Sequence, residues 1–235
     1  MKKKTILISG ANSELSKGIF DKLSKKYNII LIYHKNKPIL KKHHKPKLIK
    51  FSTNENFNNL IKKLKNDVKQ ISGVIHFNGI HSFDTFRTIT ESKFDEIYKI
   101  NCFSFINLVK ASYFFPNVNS IISISSVSSK NTSKGIPLYS SSKSALNLLV
   151  KSAAKELAKK KIRVNSIILG HMEFGMSRIT KKFLNADQLF LLEKEHLLGF
   201  GIIEDLYHSV DFLLDMRKSR WITGTEFVLD GGYLA

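Results

Sequence analysis

Short apolar runs of strand length recur along this chain with helical patterns between them, and that alternation limits the folds open to it. The runs are Thr5–Ser9, Ile29–Tyr33, Gly73–Phe77, Ser120–Ile124, Arg163–Leu169 and Glu226–Leu229. Most are apolar along their length rather than at every second residue, as expected of strands covered on both faces. Helices are predicted near Lys17–Lys26, Phe57–Lys69, Lys93–Phe115, Ser140–Lys160 and Ile203–Met216. Right-handed crossovers join such units into a doubly wound α/β fold, a single parallel sheet flanked by helices on both faces. No internal repeat or linker interrupts the 235 residues. Residues 1–235 therefore read as one domain.

The charge is +19, from 38 Lys and Arg against 19 Asp and Glu. That excess invites a nucleic-acid or anionic-membrane reading. Yet Arg stands only at 87, 163, 178, 217 and 220, and base readout leans on Arg. The lysines are spread along the chain apart from a dense run, Lys35 to Lys50, read as a solvated basic loop. Biased composition explains them, and no nucleic-acid partner is expected. The sole cysteine, Cys102, excludes an intrachain disulfide and favours a reducing compartment. Lys2–Lys4 and the apolar Thr5–Ile8 mimic a signal peptide, but Gly10 and Asn12 end the run too early. No run reaches the ~18 apolar residues of a membrane span. The expectation is a cytoplasmic protein with no membrane partner.

Chemistry concentrates between Ser123 and Val150. A strand end rich in serine leads into a polar loop closed by Pro137, and then a helix carries Leu146, Leu149, Val150, Ala153, Ala154 and Leu157 on one face. Tyr139 and Lys143 are four apart and so neighbours on that helix. A cation beside a phenol favours phenolate, drawing the pKa down from ~10 toward working pH. A second Tyr-x-x-x-Lys, Tyr33 to Lys37, runs into Pro38 and reads as loop. Ser126 lies thirteen residues before Tyr139.

A strand ending in Ser-Ser, a gap of this length and then Tyr-x-x-x-Lys resembles the short-chain dehydrogenases/reductases. The resemblance implies a Rossmann-like sheet and a catalytic set of Asn101, Ser126, Tyr139 and Lys143. It also places a dinucleotide at the turn Ser9-Gly-Ala-Asn-Ser-Glu-Leu-Ser-Lys-Gly18, where the pyrophosphate rests on a helix N-terminus. Gly10, Asn12, Ser13 and Leu15 are its implied contacts there. Gly10 matches the first glycine of the family's Gly-x-x-x-Gly-x-Gly, whereas Glu14 and Ser16 replace the other two. A carboxylate beside a pyrophosphate is unfavourable unless it turns outward.

After the second strand, His34 and Lys35 stand where NAD-preferring relatives carry an acid, which suits the 2′-phosphate of NADP; NAD is the alternative. His76-Phe77-Asn78-Gly79 resembles the family's Asn-Asn-Ala-Gly, with Asn78 and Gly79 beside the cofactor. His76 lacks partners at metal spacing and reads as packed; no metal site is expected. Asn101, twenty-two residues after Gly79, matches an Asn that bends its helix. Arg163-Val-Asn-Ser-Ile-Ile-Leu-Gly170 resembles another motif, with Leu169 in place of Pro. Phe174 replaces a cofactor-binding Thr, leaving the Met172 backbone as the nicotinamide contact. Residues 173–200 correspond to the substrate lid, with Phe183, Leu184, Leu189, Phe190, Leu191 and Leu192 as an apolar wall or core-packing helix. The ending, Trp221 to Gly232, follows the family's last strand.

The implied activity is NAD(P)H-dependent interconversion of a ketone and a secondary alcohol. The nearest resemblance is to 3-oxoacyl-[acyl carrier protein] reductases, Lys160 matching a basic residue that meets the acidic carrier. A sugar or nucleotide-sugar ketone reductase and a non-catalytic dinucleotide-binding protein are the alternatives. Implied partners are a small or carrier-borne carbonyl substrate and further copies of the chain, as homodimer or homotetramer through the Asn101 and Tyr139 helices.

Overall fold

Along Thr5–Ser9 (β1), Leu7 faces one helical layer while Ile6 and Ile8 face the other. The same division holds along Asn28–Tyr33 (β2), where Ile30 and Ile32 oppose Ile29 and Leu31. Two apolar cores result, one on each side of a seven-stranded parallel sheet ordered β3-β2-β1-β4-β5-β6-β7. The remaining strands are β3 (Lys47–Lys50), β4 (Gly73–His76), β5 (Ser120–Ile124), β6 (Arg163–Leu169) and β7 (Glu226–Leu229). The computed structural model describes residues 3–40, 45–51, 55–175 and 184–235.

The helices are α1 (Glu14–Lys26), α2 (Phe57–Asp67), α3 (Glu91–Tyr98), α4 (Ser104–Ser112), α5 (Pro137–Leu157), α6 (Ala186–Glu195), α7 (Ile203–Leu214) and α8 (Met216–Ser219). Leu60, Leu64, Phe105, Leu108, Leu146 and Val150 fill the core on one face of the sheet, and Ile19, Phe20, Leu206 and Val210 that on the other. Pro137 opens α5 at a position whose backbone N–H needs no partner. Strand order reverses direction beside β1, between β1 and β4. In such sheets ligands bind at that switch point, beyond the carboxyl ends of the strands.

Two expectations need correction. Lys47–Lys50 is not basic loop but the edge strand β3, paired through Ile30↔Lys47 to Tyr33↔Lys50. Only Ile49 is fully buried, and flanking lysines are common on exposed edges. The single helix predicted over Lys93–Phe115 is α3 and α4 separated by a π-helical turn, Lys99–Phe103. The Arg163-Val-Asn motif is structural: Arg163 is buried, donating to the Leu213 carbonyl and Ser219 hydroxyl at 2.9 Å each. Asn165 donates to the Ile222 carbonyl at 3.0 Å and accepts from the Thr225 N–H at 3.1 Å, docking the segment that leads to β7.

Candidate active site

A cleft of about 1120 Å³ opens at the carboxyl ends of β1, β4, β5 and β6. Its lining joins Ser13 and Leu15 after β1, Gly79 after β4, Ser126 after β5, Tyr139 and Lys143 on α5, and Met172 after β6. Gly10, Asn12, His34, Lys35 and Asn78 are not among the residues that line it. Asn12 donates to the Asn36 carbonyl at 2.5 Å, tying the β1 turn to the loop that carries His34 and Lys35.

A ladder of serines holds Ser126 above α5. Ser126 caps the short turn Val127–Ser129, accepting from the Ser128 N–H at 3.2 Å. Ser129 donates to the Ser126 carbonyl at 2.7 Å, and Ser144 on α5 donates to the Ser129 carbonyl at 2.8 Å. Asn147 adds a bond to the Ser129 hydroxyl at 2.9 Å. Ser126 thereby reaches the Tyr139 hydroxyl by a side-chain hydrogen bond. Tyr139 is nevertheless raised above its ordinary pKa, not lowered as its lysine neighbour suggested. Burial dominates, and Ser126 only partly offsets it. Lys143 Nζ lies 5.8 Å from the centre of the Tyr139 ring and donates to the Ile124 carbonyl at 2.9 Å. Burial pulls the Lys143 ammonium down to about 8.

Asn101 sits in the π-helical turn and is fully buried with every side-chain group bonded. Its Oδ1 accepts from the Ile80 N–H at 2.8 Å, while Nδ2 donates to the Ile80 carbonyl at 3.1 Å and to Ser142 Oγ at 2.9 Å. The amide that looked costly on an apolar helix face therefore pins the loop after β4 to α5. His76 is packed, as its sequence context predicted. Its ring accepts from or donates to Ser123 Oγ at 2.9 Å and Ser104 Oγ at 2.7 Å, and burial holds it neutral with a pKa near 3. Ser104 gives its own proton to the Ile100 carbonyl at 2.6 Å, so His76 Nε2–H donates to Ser104 and Ser123 donates to Nδ1.

The cleft fits a dinucleotide on several counts. Gly10 has φ +74°, and a Cβ there would lie 2.6 Å from the Phe77 carbonyl carbon, so only glycine permits this approach. A Cβ on Gly79 would come within 3.2 Å of Lys143 Nζ. Asn78 Oδ1 and His34 Nδ1 are buried polar atoms without a protein hydrogen bond among the described residues, free to meet a bound polar group. Glu14 also lines the cleft, its carboxylate accepting from the Gly175 N–H at 2.9 Å. Ser16 is buried without blocking helix packing, its N–H donating to Ser13 Oγ at 3.0 Å. Beyond β6, Met172 pairs with Gly201: the Gly201 N–H donates to His171 and the Glu173 N–H to Gly201.

Of the two readings of the apolar segment before residue 200, the cleft wall is the one its burial matches. No residue of α6 is buried, and Leu184, Leu191 and Leu192 line the cleft, so this helix walls the site rather than packing on the core. Phe183 lies outside the described residues. Several cleft residues escaped the sequence reading, three of them aromatic or imidazole side chains beside recognised motifs. His81 stands against Tyr139, with ring centres 4.6 Å apart, and His171 and Tyr233 close the far end. Their one signal was adjacency to recognised motifs: His81 two residues after Gly79, His171 next to Gly170, Tyr233 next to Gly232.

Comparison with known proteins places this geometry. A family model described as "Enoyl-(Acyl carrier protein) reductase" matches residues 49–234. The chain is 34% identical to "Carbonyl reductase [NADPH] 2" of Sus scrofa over 155 residues, 64% of this chain and 62% of that protein. It is 39% identical to "3-oxoacyl-[acyl-carrier-protein] reductase" of Bos taurus over 114 residues, 48% of this chain and 44% of that protein. The matched stretches thus span between about two fifths and three fifths of these relatives. Among solved structures, "4-hydroxyisoleucine dehydrogenase complexed with NADH" superimposes with a TM-score of 0.88 at 26% identity, covering 98% of each chain. With its sheet order, its cleft and a family match over most of its length, the chain belongs to the short-chain dehydrogenase/reductase family of oxidoreductases.

Proposed function

We propose that the chain is an NADPH-dependent reductase of ketones, with 3-oxoacyl thioesters as its first substrate class. The observation that carries the reading is the set Ser126, Tyr139 and Lys143, held together in one cleft by the serine ladder and α5. A reduced nicotinamide bound in the cleft would supply the hydride. Ser126 holds the substrate carbonyl oxygen, and Tyr139 gives up its proton to that oxygen. Burial keeps this phenol protonated at working pH, the state a proton donor needs. Lys143 is poised between Gly79 and the Ile124 carbonyl to meet the ribose hydroxyls. Asn101 fixes the loop and helix that carry these groups and, by family resemblance, anchors a proton-relay water.

The Gly10, Asn12, Ser13 and Leu15 turn, with Asn78 and Gly79, would hold the dinucleotide, and the Met172 backbone its carboxamide. His34 and Lys35, with no acid beside them, support the 2′-phosphate of NADP. The apolar wall of Leu184, Leu191 and Leu192 suits an acyl chain. Phe94, Phe103 and Leu148 are exposed on α3, the π-helical turn and α5, which supports a homodimer or homotetramer through these helices. Cys102 is free and buried, and a sole unpaired cysteine is in keeping with a reducing, cytoplasmic setting.

Titration of NADPH and NADH tests the cofactor assignment. Trp221 is 89% exposed and does not line the cleft, so nicotinamide fluorescence is the informative signal. Saturable NADPH binding, at least tenfold tighter than NADH, is expected. Equal affinities would remove the NADP preference, and no binding of either would remove the reductase reading.

A further inference from the structure

His81 lies in the cleft beside Tyr139, and among the described residues its ring nitrogens have no protein hydrogen bond. His76 and His196 have both ring nitrogens bonded, the latter to the His171 N–H at 3.1 Å and the Leu192 carbonyl at 2.8 Å. His81 instead sits between two aromatic rings, 4.6 Å from Tyr139 and 4.5 Å from Phe83, with no protein hydrogen bond to either nitrogen among the described residues. Burial lowers its pKa, outweighing the opposing pull of Asp84, so the imidazole is neutral near pH 7. A neutral imidazole offers one donor and one acceptor.

The segment that carries it is clamped at both ends. Asn101 binds the Ile80 N–H and carbonyl at 2.8 and 3.1 Å. Three residues beyond His81, the Asp84 N–H donates to the Gly135 carbonyl at 2.7 Å and the Asp84 carboxylate pairs with Lys93 at 2.5 Å. His81 is therefore presented to the cleft by a fixed arm, as a preorganised binding group must be. We propose that His81 is a specificity-determining residue that hydrogen-bonds a second oxygen of the substrate, a hydroxyl or carbonyl beside the carbonyl held by Ser126 and Tyr139. This rests on the reductase reading and narrows it: the substrates are oxygen-bearing ketones such as 3-oxoacyl compounds or hydroxy ketones, not simple ketones.

Two ketone pairs test it. Acetoin and methyl ethyl ketone share a carbon skeleton and differ in one hydroxyl. Ethyl acetoacetate and methyl pentyl ketone share chain length and differ in the ester. With NADPH, His81→Phe keeps the stack on Tyr139 and Phe83 but removes both nitrogens. It is expected to lower kcat/KM for the oxygenated member of each pair about tenfold more than for its partner, the scale of one neutral hydrogen bond. His81→Gln, which restores a donor and an acceptor, is expected to recover part of that preference. Equal losses on both members would mean that His81 only positions Tyr139, and no loss would mean that it touches nothing; either overturns the assignment while leaving the reductase reading intact. Reduction of none of the four ketones by the unmodified protein, with an acetoacetyl thioester still reduced, would overturn this inference alone; no reduction of the thioester either would overturn the reductase reading with it.

Discussion

Lys143 carries a charge into a place where charge is disfavoured. It is 3% exposed, bonded to one backbone carbonyl, and held at a pKa of about 8 against an ordinary 10.5. Between those values the unfolded chain binds the proton and the folded chain does not, so stability rises with pH across that window and is lowest below it. Denaturant midpoints measured from pH 8 to 10 should therefore climb, and Lys143→Met should remove that component of the slope while stabilising the fold at pH 7. Tyr139 responds oppositely: burial raises it, which retains its proton through the same range. The sequence made the two residues neighbours, and they are. It could not reveal that burial governs both, because desolvation depends on what covers a group and not on its spacing. His81 went unread for the same reason: a lone histidine after Gly79 has no periodicity or partner to mark it.

The element on which the site depends most is the π-helical turn Lys99–Phe103. One extra residue in the turn brings Asn101 inward, where it bonds both backbone groups of Ile80 and the hydroxyl of Ser142. Such bulges recur at functional positions because they re-aim a side chain without ending the helix. Asn101→Leu would leave the Ile80 groups unpaired, at about 1–3 kcal/mol for each buried orphan. Thermal unfolding should then fall by several degrees, at roughly 2–4 °C per kcal/mol for a domain of this size. A variant with unchanged Tm would show that the clamp contributes nothing. Composition gave no sign of the turn, since Ile97, Ile100, Phe103 and Phe105 read as one amphipathic helix. Edge strand β3 was hidden differently, its two apolar residues standing between lysines at both ends.

At the scale of the whole molecule, the parallel sheet was legible because its central strands are buried on both faces and so carry apolar residues at consecutive positions. Strand order then sets the cleft at the β1–β4 switch point, which brings residues from four separate segments together. Loop paths were not legible. Glu14, an obstacle when read beside a pyrophosphate, turns to the Gly175 N–H, a contact 161 residues away in the chain. Helix α6 was ambiguous between cleft wall and core packing until its lack of buried residues set Leu191 and Leu192 on the cleft. The account rests on Tyr139 as proton donor in a nicotinamide-dependent reduction, so the direct measurement is NADPH oxidation by an acetoacetyl thioester in the unmodified protein and in Tyr139→Phe. Turnover that falls by about 10²–10⁴-fold in the variant, with NADPH binding still detected by nicotinamide fluorescence, is the expected result. Full turnover without the hydroxyl would contradict it.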